Sequence, residues 1–157
     1  MARVVVPDSY HPNLQFRYKV TTSKLPGAEF YARSAQQPGF EQNPVTIEHI
    51  NAYFKVKGKT RWDDLTMSCY QFENITVEQF WNYLQDHQTV SSATDYKAPK
   101  YKHDLQIMIL DPMGSPVATW KLVGAFYSGV KWGEMDWGTD DPIQVDLTLS
   151  FDYALLT

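Results

Sequence analysis

Ile143-Gln144-Val145-Asp146-Leu147-Thr148-Leu149-Ser150-Phe151-Asp152-Tyr153 alternates without interruption, apolar at every odd position and polar at every even one. Successive side chains of a strand point to opposite faces, so the odd set enters a core while Gln144, Asp146, Thr148, Ser150 and Asp152 face water. A sheet with one solvated face usually pairs its strands antiparallel. The run is about twice the common strand length, enough to cross a domain from edge to edge. The functional question is which water the polar face meets: bulk solvent, or a channel shared with other copies.

The 157 residues suffice for one hydrophobic core and predict a single domain over 1–157. Aromatic residues make up 15% of the chain, with five Trp and ten Tyr, which favours strands, buried anchors and subunit contacts over helical bundles. A formal charge of -4 argues against a nucleic-acid binder held by phosphate contacts. Cys69 is the single cysteine, so no intrachain disulfide forms and a reducing compartment suits the chain. Its alternation with Leu65 and Met67 predicts a small core residue, not a nucleophile. The apolar run in Met1 to Pro7 is too short for a signal peptide, and nothing approaches the roughly 20 apolar residues of a membrane helix. These features predict no membrane insertion and synthesis in a cytoplasm without export by that route.

Outward from the final run, the other elements follow the same logic. After a Pro-containing arm over 1–12, Leu14, Phe16, Tyr18 and Val20 alternate with Gln15, Arg17, Lys19 and Thr21 as a first strand. Ser23 to Ala28 reads as a turn through Pro26-Gly27, and a weaker strand follows over Phe30 to Gln36. Pro38, Gly39 and Pro44 open a long excursion over 36–62, within which Val45 to Ile50 and Ala52 to Val56 form a hairpin. Trp62 to Phe72 is the next strand. Thr76 with Gln79 makes a capping box and Ile75 with Phe80 a staple, predicting a helix over about 75–87 whose Val77, Phe80, Trp81 and Leu84 lie against the sheet. Val90 to Tyr101 is a surface connection. Leu105, Ile107 and Ile109 mark a strand, Asp111-Pro112-Met113-Gly114 a type I turn, and Pro116 to Val130 the partner strand. Trp132 to Pro142 forms an acidic aromatic loop. One helix and about seven strands predict a mainly β fold, a two-sheet antiparallel barrel or sandwich with one flanking α-helix.

Chemistry is sparse. His11, His49, His87 and His103 lack metal-ligand spacing and a neighbouring nucleophile motif, and read as surface or hinge residues. Asp136, Asp140 and Asp141 lack the glycine and glutamate spacing of a calcium loop. Asn74-Ile75-Thr76 matches a glycosylation sequon by chance, since Thr76 already caps the helix. Lys55, Lys57, Lys59 and Arg61, interleaved with Tyr53 and Trp62, form a basic patch; Asp63 and Asp64 follow at once. Contact with an acidic surface on another subunit, such as the Asp136 to Asp141 loop, accounts for this patch better than nucleic acid.

The order of these elements resembles a family. The long excursion, Gly58-Lys59-Thr60-Arg61-Trp62-Asp63-Asp64-Leu65-Thr66, the helix carrying Phe80 and Trp81, the Leu105 to Asp111 strand with Asp-x-x-Gly, Trp120-Lys121-Leu122-Val123-Gly124-Ala125-Phe126, Met135-Asp136-Trp137 and the last strand together resemble the tail tube proteins of contractile-tailed, T4-like bacteriophages. The similarity runs from about Leu14 to Tyr153 and rests on order and spacing.

The resemblance implies a phage tail tube fold assembling as hexameric rings that stack into a conduit for genome ejection, with no catalytic residue, no metal and no cofactor. It implies that the excursion reaches the neighbouring ring; together with the charge reading above, the candidate inter-subunit or inter-ring contacts are Phe40, Asn43, Ile47, Tyr53, Lys55, Lys57, Lys59 and Arg61 on the excursion and Asp136, Asp140 and Asp141 on the acidic loop. Gln144, Asp146, Thr148, Ser150 and Asp152 are the candidate lumen-facing residues, although Arg17 and Lys19 on the first strand would mix the charge. The implied partners are further copies, a tail sheath protein, a baseplate or tube initiator and a tail terminator, with DNA passing through without specific binding. The implied location is the virion tail, assembled in the host bacterial cytoplasm. Tube proteins of type VI secretion and extracellular injection systems share the fold and remain alternatives. A rival of another class is a monomeric β-sandwich carbohydrate binder stacking sugars on Trp132, Trp137 and Tyr127.

Overall fold

A computed structural model describes residues 12–22, 32–71, 81, 88–89, 94–95 and 101–157. Val145, Leu147 and Leu149 are 7%, 3% and 0% exposed, so the odd side chains of the final run do enter the core. The alternation, however, stops before Tyr153. Strand β12 spans Gln144–Ser150, the chain bends at Phe151-Asp152, and β13 spans Tyr153–Leu156 with the even residue Ala154 buried. The long partner β11, Pro116–Trp132, slips at the same level: Leu122 and Ala125 are both fully buried although three residues apart. Between them Gly124 adopts φ +67°, a left-handed conformation that costs a residue with a Cβ about 1–2 kcal/mol. A Cβ there would also run into the Asp152 carboxylate.

The two strands bend together. Val123 pairs with Tyr153 on one side and Phe126 with Ser150 on the other, and the Asp152 N–H donates to the Val123 carbonyl at 3.1 Å. The bend divides one seven-stranded antiparallel sheet into halves. The first contains β1 (Tyr18–Thr22), β10 (His103–Leu110), the start of β11 and β13; the second contains the end of β11, β12, β7 (Leu65–Tyr70) and β2 (Ala32–Ala35). Strands that bend between two sheets are how such corners are made. Val20, Leu105, Ile107 and Leu122 from the first half meet Leu65, Met67, Val145, Leu147 and Leu149 from the second in a single core.

The outermost strands, β1 and β2, approach each other: the Tyr18 hydroxyl donates to the Ala32 carbonyl at 3.2 Å. Burial, with Cys69 and Tyr70 adding to it, raises the Tyr18 phenol above its ordinary value, which keeps it a donor. Yet no ladder joins β1 to β2 among the described residues, so the expected closed barrel is corrected to an open sheet bent around its core. With β2 only four residues long and bulged against β7, one side-chain bond stands where a closing ladder would.

Other expectations also change. Leu14 and Phe16 are not in the first strand; they are 41% and 73% exposed, in a turn where the Arg17 N–H donates to the Leu14 carbonyl, and β1 begins at Tyr18. The flanking helix is not among the described elements: of 75–87 only Trp81 is described, helical and 38% exposed, so the rest of that expectation lies outside the described residues. So do the arm over 1–11, the Ser23 to Ala28 turn and the Asn74 sequon. The surface connection after residue 90 is interrupted by a small ladder, β8 (Gln88–Thr89) with β9 (Thr94–Asp95). The Asp111 turn forms as expected. The Gly114 N–H donates to the Asp111 carbonyl at 3.1 Å, and Asp111 Oδ1 accepts the N–H groups of Met113 and Ser115, each at 2.8 Å.

Gly124→Ala should cost roughly 1–3 kcal/mol in urea unfolding, because the strain of the left-handed backbone and the collision with Asp152 act together. Adding Asp152→Ala should return only the collision part. Leu149→Ala, at a fully buried site, should cost about 2–5 kcal/mol in the same assay.

Candidate functional site

The excursion is a single two-stranded arm built from two ladders. At its root β3 (Phe40–Gln42) pairs with β6 (Thr60–Trp62), and beyond it β4 (Val45–His49) pairs with β5 (Ala52–Val56). Between the ladders two residues, Asn43-Pro44, face three, Lys57-Gly58-Lys59. That count makes a bulge, and Pro44, which has no N–H, interrupts the pairing there. The Asn43 carbonyl lies where any Cβ on Gly58 would fall, so glycine is required for the two strands to approach. At the tip Ile50, with φ +26°, is 93% exposed.

Strand register sorts the arm's side chains into two faces. Val45 faces Val56 and Ile47 faces Phe54 on an apolar side; Thr46 faces Lys55 and Glu48 faces Tyr53 on a polar one. Both faces are exposed, including all four apolar residues. The root is anchored by aromatic contacts: Phe40 meets Trp62 edge-on at 5.3 Å between ring centres, and Trp62 meets Phe151 at 5.8 Å. Asp63 N–H donates to the Gly39 carbonyl at 3.0 Å and the Ser150 hydroxyl to Asp64 Oδ1 at 2.7 Å. The arm therefore springs from the bend in the last strand.

Gln144, Asp146, Thr148 and Ser150 share the face of the second half-sheet opposite the core. Register places Tyr70, Ser68 and Thr66 of β7 beside the first three, and Lys131 beside Asp146 on the other flank. The Ser68 hydroxyl donates to Asp146 Oδ1 at 2.5 Å. Asp152 does not continue this row. The bend carries it to the first half-sheet, where Lys102 Nζ reaches its two carboxylate oxygens at 2.6 and 2.9 Å. Lys121 pairs with Asp104 nearby at 3.0 Å.

The acidic loop joins β11 to β12. It exposes Met135 and Trp137, and Asp136 Oδ1 accepts the Gly138 N–H at 2.9 Å. None of Lys55, Lys57, Lys59, Arg61, Asp140 and Asp141 pairs with an opposite charge among the described residues. Basic patch and acidic loop are thus not brought together within one chain. No group of three His, Cys, Asp or Glu side chains among the described residues is arranged to hold a metal ion. No helix among them is long and apolar enough to cross a membrane.

One histidine differs from the sequence expectation. His103 is no surface residue: it is 7% exposed, with its ring 5.8 Å from that of Tyr127. Its parity with Leu105 and Ile107 was the available signal. Of the three aromatics proposed as a sugar platform, Tyr127 is half-buried against the core while Trp132 and Trp137 are exposed. Cys69 lies half-buried on the core side of β7, its thiol pushed up to about 11 by burial and secondarily by Asp146.

A bent antiparallel sheet carrying an exposed two-stranded arm is the class of fold these residues define. The family model described as "T4-like virus tail tube protein gp19" matches residues 14–154, and the chain belongs to that tail tube family. No curated protein matches it. Among solved structures it is similar to the tube-terminating cap of the anti-feeding prophage, at 16% identity, covering 99% of this chain and 95% of that one with a TM-score of 0.76. It is similar to the sheath/tube terminator of an extracellular contractile injection system, PVC, at 16% identity, 95% and 99% coverage and TM-score 0.75. Hcp1 from Flavobacterium johnsoniae shares the fold more distantly, at 12% identity, 90% and 94% coverage and TM-score 0.52.

Because its thiol is protonated below about 11, Cys69 should react with a thiol reagent at pH 8 far more slowly in the folded chain than in denaturant. The raised value also means that this group's contribution to stability is complete below 9.0 and is lost as pH rises toward 11, which urea titrations across that range would read. Trp62→Ala should speed amide exchange over 40–62 about tenfold or more, with little change in the exchange of β10 and β12.

Proposed function

We propose that the chain is the repeating subunit of the tube in a contractile phage tail. Copies join edge to edge into hexameric rings, and rings stack into a conduit that carries the genome during ejection. The observation that carries this reading is the match of the tail tube family model over nearly the whole chain, on a fold in which no ladder joins β1 to β2 among the described residues and whose arm exposes apolar side chains on a long lever. Exposed strand edges invite pairing with another copy, and contiguous exposed apolar surface marks an interface.

In this assembly the polar row Gln144, Asp146, Thr148 and Ser150 lines the lumen. Asp146 and Lys131 sit side by side there, so the wall is hydrophilic with mixed charge and holds no basic run to retard DNA. Phe40, Asn43, Ile47, Tyr53, Lys55, Lys57, Lys59 and Arg61 serve contacts between rings. A sheath surrounds the tube, an initiator at the baseplate and a terminator at the far end bound it, and the whole assembles in the cytoplasm of the infected bacterium. The family carries no enzyme chemistry, and the reading needs no cofactor.

A second reading, the tube or cap of an injection system that delivers protein, is favoured by the likeness to the two terminators, whose fold this chain shares over almost its full length. Negative-stain microscopy and native mass spectrometry of the purified protein test both. Sixfold rings and tubes, forming alone or on a baseplate seed, are expected; a persistent monomer at high concentration under either condition would overturn them. Particles loaded with DNA rather than protein distinguish the first reading from the second.

A further inference from the structure

The sheet places the arm and the acidic loop at opposite ends of its second half. The arm enters β7 at Leu65, beside Leu149 near the C-terminal end of β12; the loop enters β12 at Gln144, beside Tyr70 at the other end of β7. The intervening rungs, at about 3.3 Å per residue, keep an arm from meeting the loop of its own chain. The two ends differ in charge. The arm over 40–62 carries Lys55, Lys57, Lys59 and Arg61 against Glu41 and Glu48, while 133–142 carries Glu134, Asp136, Asp140 and Asp141 with no basic residue. Both ends also present apolar surface: Val45, Ile47, Phe54 and Val56 on one face of the arm, Met135 and Trp137 on the loop.

We propose that the apolar face of the arm is covered, in the assembled tube, by the acidic loop of a second copy of this chain in the next ring. This inference rests on the stacking reading above and specifies its receptor. Met135 and Trp137 lie against Val45, Ile47, Phe54 and Val56, and Asp140 and Asp141 meet Lys57 and Lys59 at the arm's bulge. Because donor and receptor occupy opposite ends of one chain, the contact is heterologous and repeats without closing, which gives the stack a direction. Its charged component makes stacking sensitive to salt, since exposed pairs are screened.

The test is charge reversal with compensation, read as the fraction of protein in tubes by sedimentation and microscopy, with rings followed by native mass spectrometry. Lys55→Glu/Lys57→Glu/Lys59→Glu on the arm, or Asp136→Lys/Asp140→Lys/Asp141→Lys on the loop, should each reduce tubes tenfold or more while rings persist, and the two sets combined in one chain should restore them. As a second measurement, Lys57→Cys with Asp140→Cys in a Cys69→Ser background should give a ladder of disulfide-linked copies on mild oxidation of tubes. Tubes that form normally in both one-sided variants, or that yield no ladder, overturn this inference and leave the tube function standing. Wild-type protein that makes neither rings nor tubes, seeded or not, overturns that function and the inference with it.

Discussion

The structure depends on the paired bend of β11 with β12 and β13. A flat sheet of these strands would expose one face of its apolar residues; bending one hairpin through both strands folds the sheet onto itself, so that its two halves bury a shared core. The bend is possible because Gly124 takes a left-handed conformation directly under Asp152, and because both strands slip by one residue at the same level, so their ladder stays in register. Its cost is local, and the burial it permits is spread over eleven core side chains among the described residues. At roughly 1.5–3 kcal/mol for each fully buried large aliphatic residue, a few of them outweigh one strained glycine.

The same bend places everything that faces outward. Phe151 sits at the bend and takes Trp62 against its ring, so the arm's root is fixed to the place where the last strand turns. Ser150, one residue earlier, ends the polar row and holds Asp64. Asp152, one residue later, is turned away to Lys102. Three consecutive residues thus serve the foot of the arm, the core together with the arm's root, and the first half-sheet in turn. Any shift of the bend along the strand would move all three together.

Much of this was legible in the sequence because it is periodic. Val145, Leu147 and Leu149, Leu65 and Met67, and Leu105 and Ile107 announce their faces by alternation, and Asp111 to Gly114 announces its turn by residue type. The bend itself was not legible from the final run. Phe151-Asp152-Tyr153 continues the apolar and polar alternation through the point where the backbone breaks it, and the mark lies in the partner strand, whose interior holds Gly124 and Gly129. The arm's two faces were readable from Val45, Ile47, Phe54 and Val56, but their exposure was not. A pattern gives the face a residue occupies and is silent about what lies across from it. The expected barrel failed to close for a related reason, since alternation in β1 and β2 specifies their faces and not whether their edges meet.

An apolar arm held in water is a poor arrangement for an isolated chain and a useful one for a subunit. Two-stranded hairpins are marginal by themselves, and this one draws its order from its root, where Phe40, Trp62 and Phe151 interlock, leaving the distal ladder free to dock. In the proposed tube this separates two kinds of contact. Strand edges act sideways, between neighbours whose rotation closes a ring; the arm acts along the axis, between surfaces at opposite ends of the chain whose repetition never closes. Because the two would use different residues, stacking would add one arm and one loop per subunit without disturbing the core or the ring contacts. The polar face of β12 then remains untouched by either contact and is left to line a bore.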